Sequence, residues 1–563
     1  MRSPNALQKR LRALRNVYGI GAERSKRALL AQLRTIPLRT AAAILALHED
    51  LLFICAYPGA KATRTLARRM LGEIGPRLSR LPRAQRVLAD DSGIADSITR
   101  HTYPFPVARW LVRAAPADVD IDWRAFDDPA RLDGFVGLVS CGAEREAFES
   151  GEFATRDWIR LARRADARTD MQWLLEAAPA APAMAERFAD EWDDAEVPVQ
   201  WALRDSRWSV THNALPSAAL AWRTGMRRPP ADVAAHVGEP LAAIERLPRA
   251  RALRVVASAR AALAARGREV NAMSYPNLDE VWWCELGEGV TLAVIGIARE
   301  LRLTLETNTG YLLFANGIPI GYGGVTPLFR QANTGINIFD AFRGGEAAFV
   351  WAQMLRAFHT LYGSRRFVVN AYQFGAGNAE AIRSGAFWFY HRLGFRPAHA
   401  RTRALASREA RRMADDRKYR SDARTLKMLA TGDLHLDLEG FDPADHFDET
   451  LLPRVGAAAA RRLAAEPAWG RSEGQRRIAG AVAAQLGIDD LARWPKAQRR
   501  GFELLAPVVA TVGDIDTWSP GDRAALVSLM RRKGAPQERA FALAAQQATR
   551  FHHALAYALR SAD

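Results

Sequence analysis

The sequence predicts an α+β chain: a central mixed sheet with its own helices, flanked by mainly α-helical N- and C-terminal regions. Three observations predict it. Residues 1–270 and 441–563 carry apolar residues at helical spacing, broken by proline and glycine turns. Residues 271–440 hold short β-rich runs punctuated by glycine. Within that block Asn316-Gly317 stands between two apolar runs. Both residue types tolerate the positive φ of a type I′ turn, so this is a strong hairpin signal.

Residues 1–270 read as one or two helical domains. Turns fall at Pro37, Pro58-Gly59, Gly75-Pro76, Pro104 and Pro106, Pro179 and Pro182, and Pro229-Pro230. Residues 63–74 and 250–265 show clear helical spacing, and no fixed-period repeat marks a solenoid. Residues 271–440 form a second unit. Trp282, Trp283 and Cys284 open a strand-like run, and 291–297 and 301–306 are further β-rich runs. Residues 311–315 and 318–325 flank the Asn-Gly turn, and 334–340 is the next strand. Phe342-Arg343-Gly344-Gly345-Glu346 then turns into a helix with core face Ala347, Val350, Met354, Phe358 and Leu361, closed by Gly363. Residues 366–374 read as a strand buried on both faces. Asn378 can cap the following helix, whose face is Ile382, Ala386, Phe389 and Leu393, with Gly394 at its end. A charged helix follows to about Lys427. Residues 432–439 alternate strictly, which predicts one half-buried strand returning to the central sheet. Residues 441–563 form a third, helical region.

Length and charge bound the function. A chain of 563 residues is too long for one ordinary core, and 49% hydrophobic with 25% charged residues excludes wholesale disorder. The net charge of +17 is compatible with a nucleic-acid partner. Nearly all of it is arginine spread evenly beside alanine, which favours a composition bias instead. Arg411-Arg412 and Arg499-Arg500 are separate short runs. Cys55, Cys141 and Cys284 are too far apart for a disulfide framework or metal knuckle and fit a reducing cytoplasm. The basic N-terminus lacks an apolar core of its own, and 41–57 is interrupted by His48, Glu49 and Asp50, so neither a secretory signal nor a membrane span is expected.

Two N-terminal patterns carry bland expectations. Ser140-Cys141-Gly142 lacks the spacing of a nucleophile turn, and Cys141 is expected to be a buried free thiol. The aromatic and basic residues from Arg100 to Trp110 are expected to pack a loop onto a helix rather than to stack on bases.

The chemistry concentrates at 342–347. A Gly-Gly turn at a helix start exposes backbone N–H groups at the positive end of the helix dipole, and Arg343 adds a guanidinium that can fork onto phosphate oxygens. Farther on come Asn378-Ala379-Glu380-Ala381 and Tyr390-His391-Arg392-Leu393-Gly394-Phe395. Together these resemble the GNAT acyltransferase superfamily, the N-acetyltransferase-like fold, over about residues 275–440. Gly345 and Ala347 match its pyrophosphate loop. Phe342 stands where the family has Gln or Arg, and the interval before Tyr390 is longer than the family's.

The resemblance implies an acyl-CoA-dependent N-acyltransferase with acetyl-CoA or another acyl-CoA as cofactor and a small-molecule or peptide acceptor. It implies that pantetheine pairs near Ile338 and that the pyrophosphate lies on Arg343, Gly344, Gly345, Glu346 and Ala347, with Asn378 in the later motif. Tyr390 would be the general acid that protonates the leaving thiolate. Asp340, Glu346 and His391 are candidate bases. A water relay would also serve, so none is assigned. Asp433, His435, Asp437 and His446 could be drawn as a metal set. A solvated strand face accounts for them, and no metal is assigned. The alternatives are a catalytically inactive GNAT-like scaffold or nucleic-acid-binding protein, and an aminoacyl or peptidyl transferase with a tRNA-borne donor.

Overall fold

Turn chemistry decides where this chain reverses. The structure is a computed structural model that describes residues 3–151, 153–178, 181–204, 206–217, 219–465 and 470–561. Pro179 lies outside them. The architecture is mixed α/β, mainly helical towards both ends.

The N-terminal region begins with helices, of which α1 (Ala41–Ala56) is the most buried. Thr40 caps it, its hydroxyl accepting from the Ala43 N–H at 3.2 Å. The region is not wholly helical. Strands β1 (Ile98–Thr102), β2 (Val119–Ile121) and β3 (Pro198–Ala202) form a small antiparallel sheet in the order β1-β3-β2. Val199 and Trp201 alternate into the core from β3. Tyr103 and Phe105 are buried as expected, with the Tyr103 hydroxyl donating to Ala264 O. Cys141 is exposed, contrary to expectation, because it starts a short surface turn in which its N–H donates to Glu144.

The main sheet has ten strands. It opens with β4 (Ile244–Arg246), and α2 (Arg249–Ala264) follows. Then come β5 (Pro276–Gly287), β6 (Val290–Ile297), β7 (Thr309–Ala315), β8 (Ile318–Leu328), β9 (Gln331–Thr334) and β10 (Asn337–Ile338). Helix α3 (Ala347–Tyr362) leads to β11 (Arg366–Val369). Helices α4 (Ala379–Ser384) and α5 (Ala386–Arg392) precede β12 (Arg396–Pro397), and β13 (Leu434–Asp437) closes the set. The order is β12-β13-β11-β9-β8-β7-β6-β5-β4, with β10 also on β8. Every pair is antiparallel except β9 with β11. The long crossover between those two is α3, the connection that a parallel pair requires.

Local chemistry accounts for these elements. Asn316 (φ 48°) and Gly317 (φ 83°) make the expected turn between β7 and β8. Helix α3 buries the expected Val350, Met354, Phe358 and Leu361, and also Trp351, Leu355 and Tyr362, because neighbours pack on more than one side. It stops at Gly363 (φ 72°). The strand expected over 301–306 is replaced by the short turn Arg299–Leu301 and irregular chain. The helix expected through Ile382 and Leu393 breaks into α4 and α5 at Gly385 (φ 65°). The residues of 366–374 form a strand only to Val369, and then a turn over Ala371–Phe374.

Two hydrophobic clusters result. One runs from Leu7 to Leu438 and takes in Ala542, so the N-terminal helices and the sheet share a core. The other joins Leu305, Leu328 and Phe329 to the C-terminal helices as far as Leu559. Among the described residues no helix is long and apolar enough to cross a membrane.

Candidate functional site

The parallel pair β9/β11 is short. Gln331, Ala332 and Asn333 lie opposite Arg366, Phe367 and Val368. Beyond that point β11 turns away, while the β9–β10 chain stays with β8 in one register, Thr334 facing Val325 and Asn337 facing Tyr322. The sheet therefore splays. Gly335 and Ile336, between β9 and β10, leave the ladder, and Tyr311 meets one of their freed backbone groups. The Tyr311 hydroxyl donates to Gly335 O. The freed Ile336 N–H lies near enough to Tyr390 to lower the phenol's pKa in part. Gly323 makes room for the first contact, since a Cβ there would lie 2.4 Å from the Tyr311 oxygen.

A cavity of about 710 Å³ occupies the splay. One wall is the β8–β10 edge, with Tyr322, Ile336, Ile338 and Phe339. A second is α4 and α5, with Asn378, Ala386, Phe389 and Tyr390. The third comes from the N-terminal region: Leu45, His48 and Leu52 of α1, with Arg266 and Arg268 just beyond α2.

Four of the residues singled out from sequence, Ile338, Arg343, Asn378 and Tyr390, meet in this cavity. Asn378 is the expected helix cap. Its Oδ1 accepts from the Ala381 N–H at 3.0 Å and its Nδ2 donates to Tyr372 O at 3.1 Å. Arg343 stands at the mouth, its side chain 59% exposed, with Asp340 at 2.9 Å and Glu380 at 2.7 Å. Gly344, Gly345, Glu346 and Ala347 continue from Arg343 into α3, which starts without a side-chain cap. Gly344 has φ 81° and open space around it, whereas a Cβ on Gly345 would lie 3.0 Å from Phe342 O. Glu346 is enclosed. Its carboxylate accepts from Arg223 Nη2 and from the Arg227 N–H, each at 2.9 Å.

Burial sets the protonation states. Tyr390 is 3% exposed, and desolvation pushes its pKa well above the usual phenol value, with the Ile336 N–H opposing in part. The phenol therefore stays protonated at neutral pH. Tyr390 also borders the cavity, which places the phenol beside a ligand bound there. Burial, with the nearby charge of Arg266, pushes His48 down to about 3 and keeps it neutral. His48 Nε2 lies 3.1 Å from Thr211 Oγ1. Desolvation lowers Arg266 to about 9, and its guanidinium sits 3.8 Å over the Phe339 ring.

Of the candidate bases only Asp340 borders the cavity, and it is ion-paired with Arg343. His391 stacks on Phe387 at 5.7 Å, and burial pushes it down to about 4. The residues drawn as a metal set have protein partners. Asp437 grips Arg366 through both oxygens at 2.6 and 2.7 Å, and Asp433 accepts from the Ala371 N–H. His435 and His446 lie ring to ring at 5.1 Å. The described group close enough to share an ion is instead Asp445, His552 and His553, where the Arg330 guanidinium on Asp445 works against a cation.

His48, Tyr322, Arg266 and Arg268 were not foreseen. They come from three distant segments, and no local pattern marks them as neighbours of Tyr390. Comparison with known proteins returns no matching family model, no similar curated protein and no similar solved structure.

Proposed function

We propose that the chain is an acyl-CoA-dependent N-acyltransferase of GNAT-like design, with its acyl donor held in the splay between β10 and β11. The observation that carries the reading is Tyr390: a buried, protonated phenol that borders the cavity at the point where a parallel strand pair opens.

In this reading the thioester lies beside Ile336 and Tyr390. Backbone groups of β10 that no longer pair across the splay hold the pantetheine arm, and the phosphates lie towards Arg343 and the N-terminus of α3. The amine acceptor enters against the N-terminal wall. The neutral amine attacks the thioester carbonyl, the C–S bond breaks as Tyr390 gives its proton to the departing sulfur, and the proton shed by the acylated nitrogen returns to the Tyr390 phenolate through water. Neutral His48 is too weakly basic to strip a proton from an ammonium at a useful rate, so its place is to accept a hydrogen bond and orient the acceptor. The intact cavity and the poised phenol favour catalysis over a scaffold role.

Calorimetric titration of acetyl-CoA and longer acyl-CoAs tests the reading. Saturable binding is expected, weakened about tenfold or more in Arg343→Glu, where a phosphate would meet a reversed charge. No binding of any acyl-CoA to the folded protein would end it and turn the search to tRNA-borne donors.

A further inference from the structure

A second concavity lies at the β12/β13 edge of the main sheet. It measures about 530 Å³ and is lined by four arginines: Arg366, Arg392, Arg396 and Arg403. Two carboxylates share it. Asp437 is taken by Arg366, and Asp232 caps the helix Val233–Gly238 by accepting from the Ala235 N–H.

The other three guanidinium groups are held by main-chain carbonyls rather than by carboxylates. Arg392 Nε donates to Trp388 O at 2.8 Å. Arg396 Nη1 donates to His391 O and Phe395 O, both at 2.9 Å. Arg403 Nη1 donates to Pro397 O at 3.0 Å and Ala398 O at 2.8 Å. Among the described residues none of the three meets a carboxylate at ion-pair distance. Carbonyl anchoring fixes each planar fork while leaving its charge uncompensated and its remaining N–H groups free. All three are exposed, so water screens much of their mutual repulsion, and an oxyanion ligand would offset the remainder while meeting their free N–H groups. His435, on the pocket floor, is kept neutral by burial and by Arg366 and adds no competing charge.

We propose that this pocket binds a small ligand carrying two or more phosphate groups, of the nucleoside-polyphosphate or sugar-bisphosphate class. Its concave shape and size suit a small molecule better than a strand of nucleic acid, which calls for an extended basic track with stacking rings. The site is separate from the cavity at Tyr390 and stands or falls independently of the acyltransferase reading.

The test is calorimetric titration of full-length protein with inorganic pyrophosphate, ATP and fructose 1,6-bisphosphate, with inorganic phosphate as the single-charge reference. At least one of the three is expected to bind about tenfold or more tighter than phosphate. The double variant Arg392→Gln/Arg396→Gln is expected to lose that preference while keeping the wild-type circular dichroism and melting profile. Arg343→Gln, at the other cavity, is expected to leave it intact. Arg403→Gln alone provides a second, milder reading if the double variant folds poorly. The proposal is overturned if no polyphosphate binds, if the double variant binds as the wild type does, or if Arg343→Gln is the variant that loses binding. Salt-sensitive binding of a twelve-nucleotide RNA with no binding of the small polyphosphates would also overturn it, in favour of a nucleic-acid surface.

Discussion

A phenol can protonate a leaving thiolate only if it holds its proton until that moment and no protein acceptor claims it. Tyr390 meets the first condition through burial, and among the described residues no hydrogen bond carries its hydroxyl proton to a protein acceptor. Tyr390→Phe keeps the ring that packs edge-on to Trp351 and Phe395 and deletes only the donor. Under the proposed function we expect thiol release from acyl-CoA to fall about a hundredfold or more, with acyl-CoA affinity unchanged. An equal loss of affinity would assign the hydroxyl to binding instead. The place of Tyr390 beside the cavity was legible because aromatic, Gly and Phe signals cluster around it. Glu346 was not. Its place in a glycine turn suggested a ligand contact, and its real partner, Arg223, lies 123 residues earlier in the chain. No local pattern reports an ion pair of that span, and the same holds for His48 and Arg266 on the cavity wall.

At the scale of elements, what could be read was what neighbouring residues decide. The Asn316-Gly317 turn follows from two residues that accept positive φ. What the turn touches does not. The Asn316 side chain donates to Ala56 O and Ala221 O and accepts from the Ala221 N–H. A Cβ on Gly317 would lie 2.0 Å from Leu215 O. Gly317→Ala therefore adds a backbone clash to a strained φ. We expect it to lower the unfolding free energy by about 2 kcal/mol or more, read by urea denaturation, against the smaller cost that φ alone imposes. The strand expected over 334–340 was found with a gap in its ladder at Gly335 and Ile336, where the distant Tyr311 hydroxyl takes the Gly335 carbonyl. The helix break at Gly385 and the early end of β11 likewise depend on how the splay closes around its cavity, which period-counting cannot see.

At the scale of the whole molecule, the C-terminal helices dock on the sheet through a buried charge cluster, and that cluster makes a prediction about pH. Glu280 on β5 is 0% exposed and accepts from the N–H groups of Glu538 and Arg539, each at 2.7 Å. Arg302 lies 3.6 Å from it, and Lys533 pairs with Glu538 at 3.1 Å. Gly296 leaves the space, since a Cβ there would lie 2.5 Å from the Glu280 carboxylate. Burial outweighs these partners, and the Glu280 pKa is pushed up to about 7; Glu538 is pushed the same way. Between the ordinary glutamate value and 7 the folded protein thus holds a proton that the unfolded chain has released. Stability must therefore fall as pH rises through that window, by up to about 1.4 kcal/mol per pH unit and roughly 3 kcal/mol in all from Glu280. Below the window both states are protonated and the contribution is fully retained; above it both are ionised and the loss is complete. Glu280→Gln cannot ionise. It offers one carbonyl oxygen to two N–H donors, so it should be less stable than wild type in acid, yet its urea-unfolding free energy should change less between pH 5 and pH 7.5. An unchanged pH slope in the variant would mean that Arg302 and Lys533 hold Glu280 ionised throughout, and that the two cores are joined by a permanent ion cluster rather than by one that weakens towards neutrality.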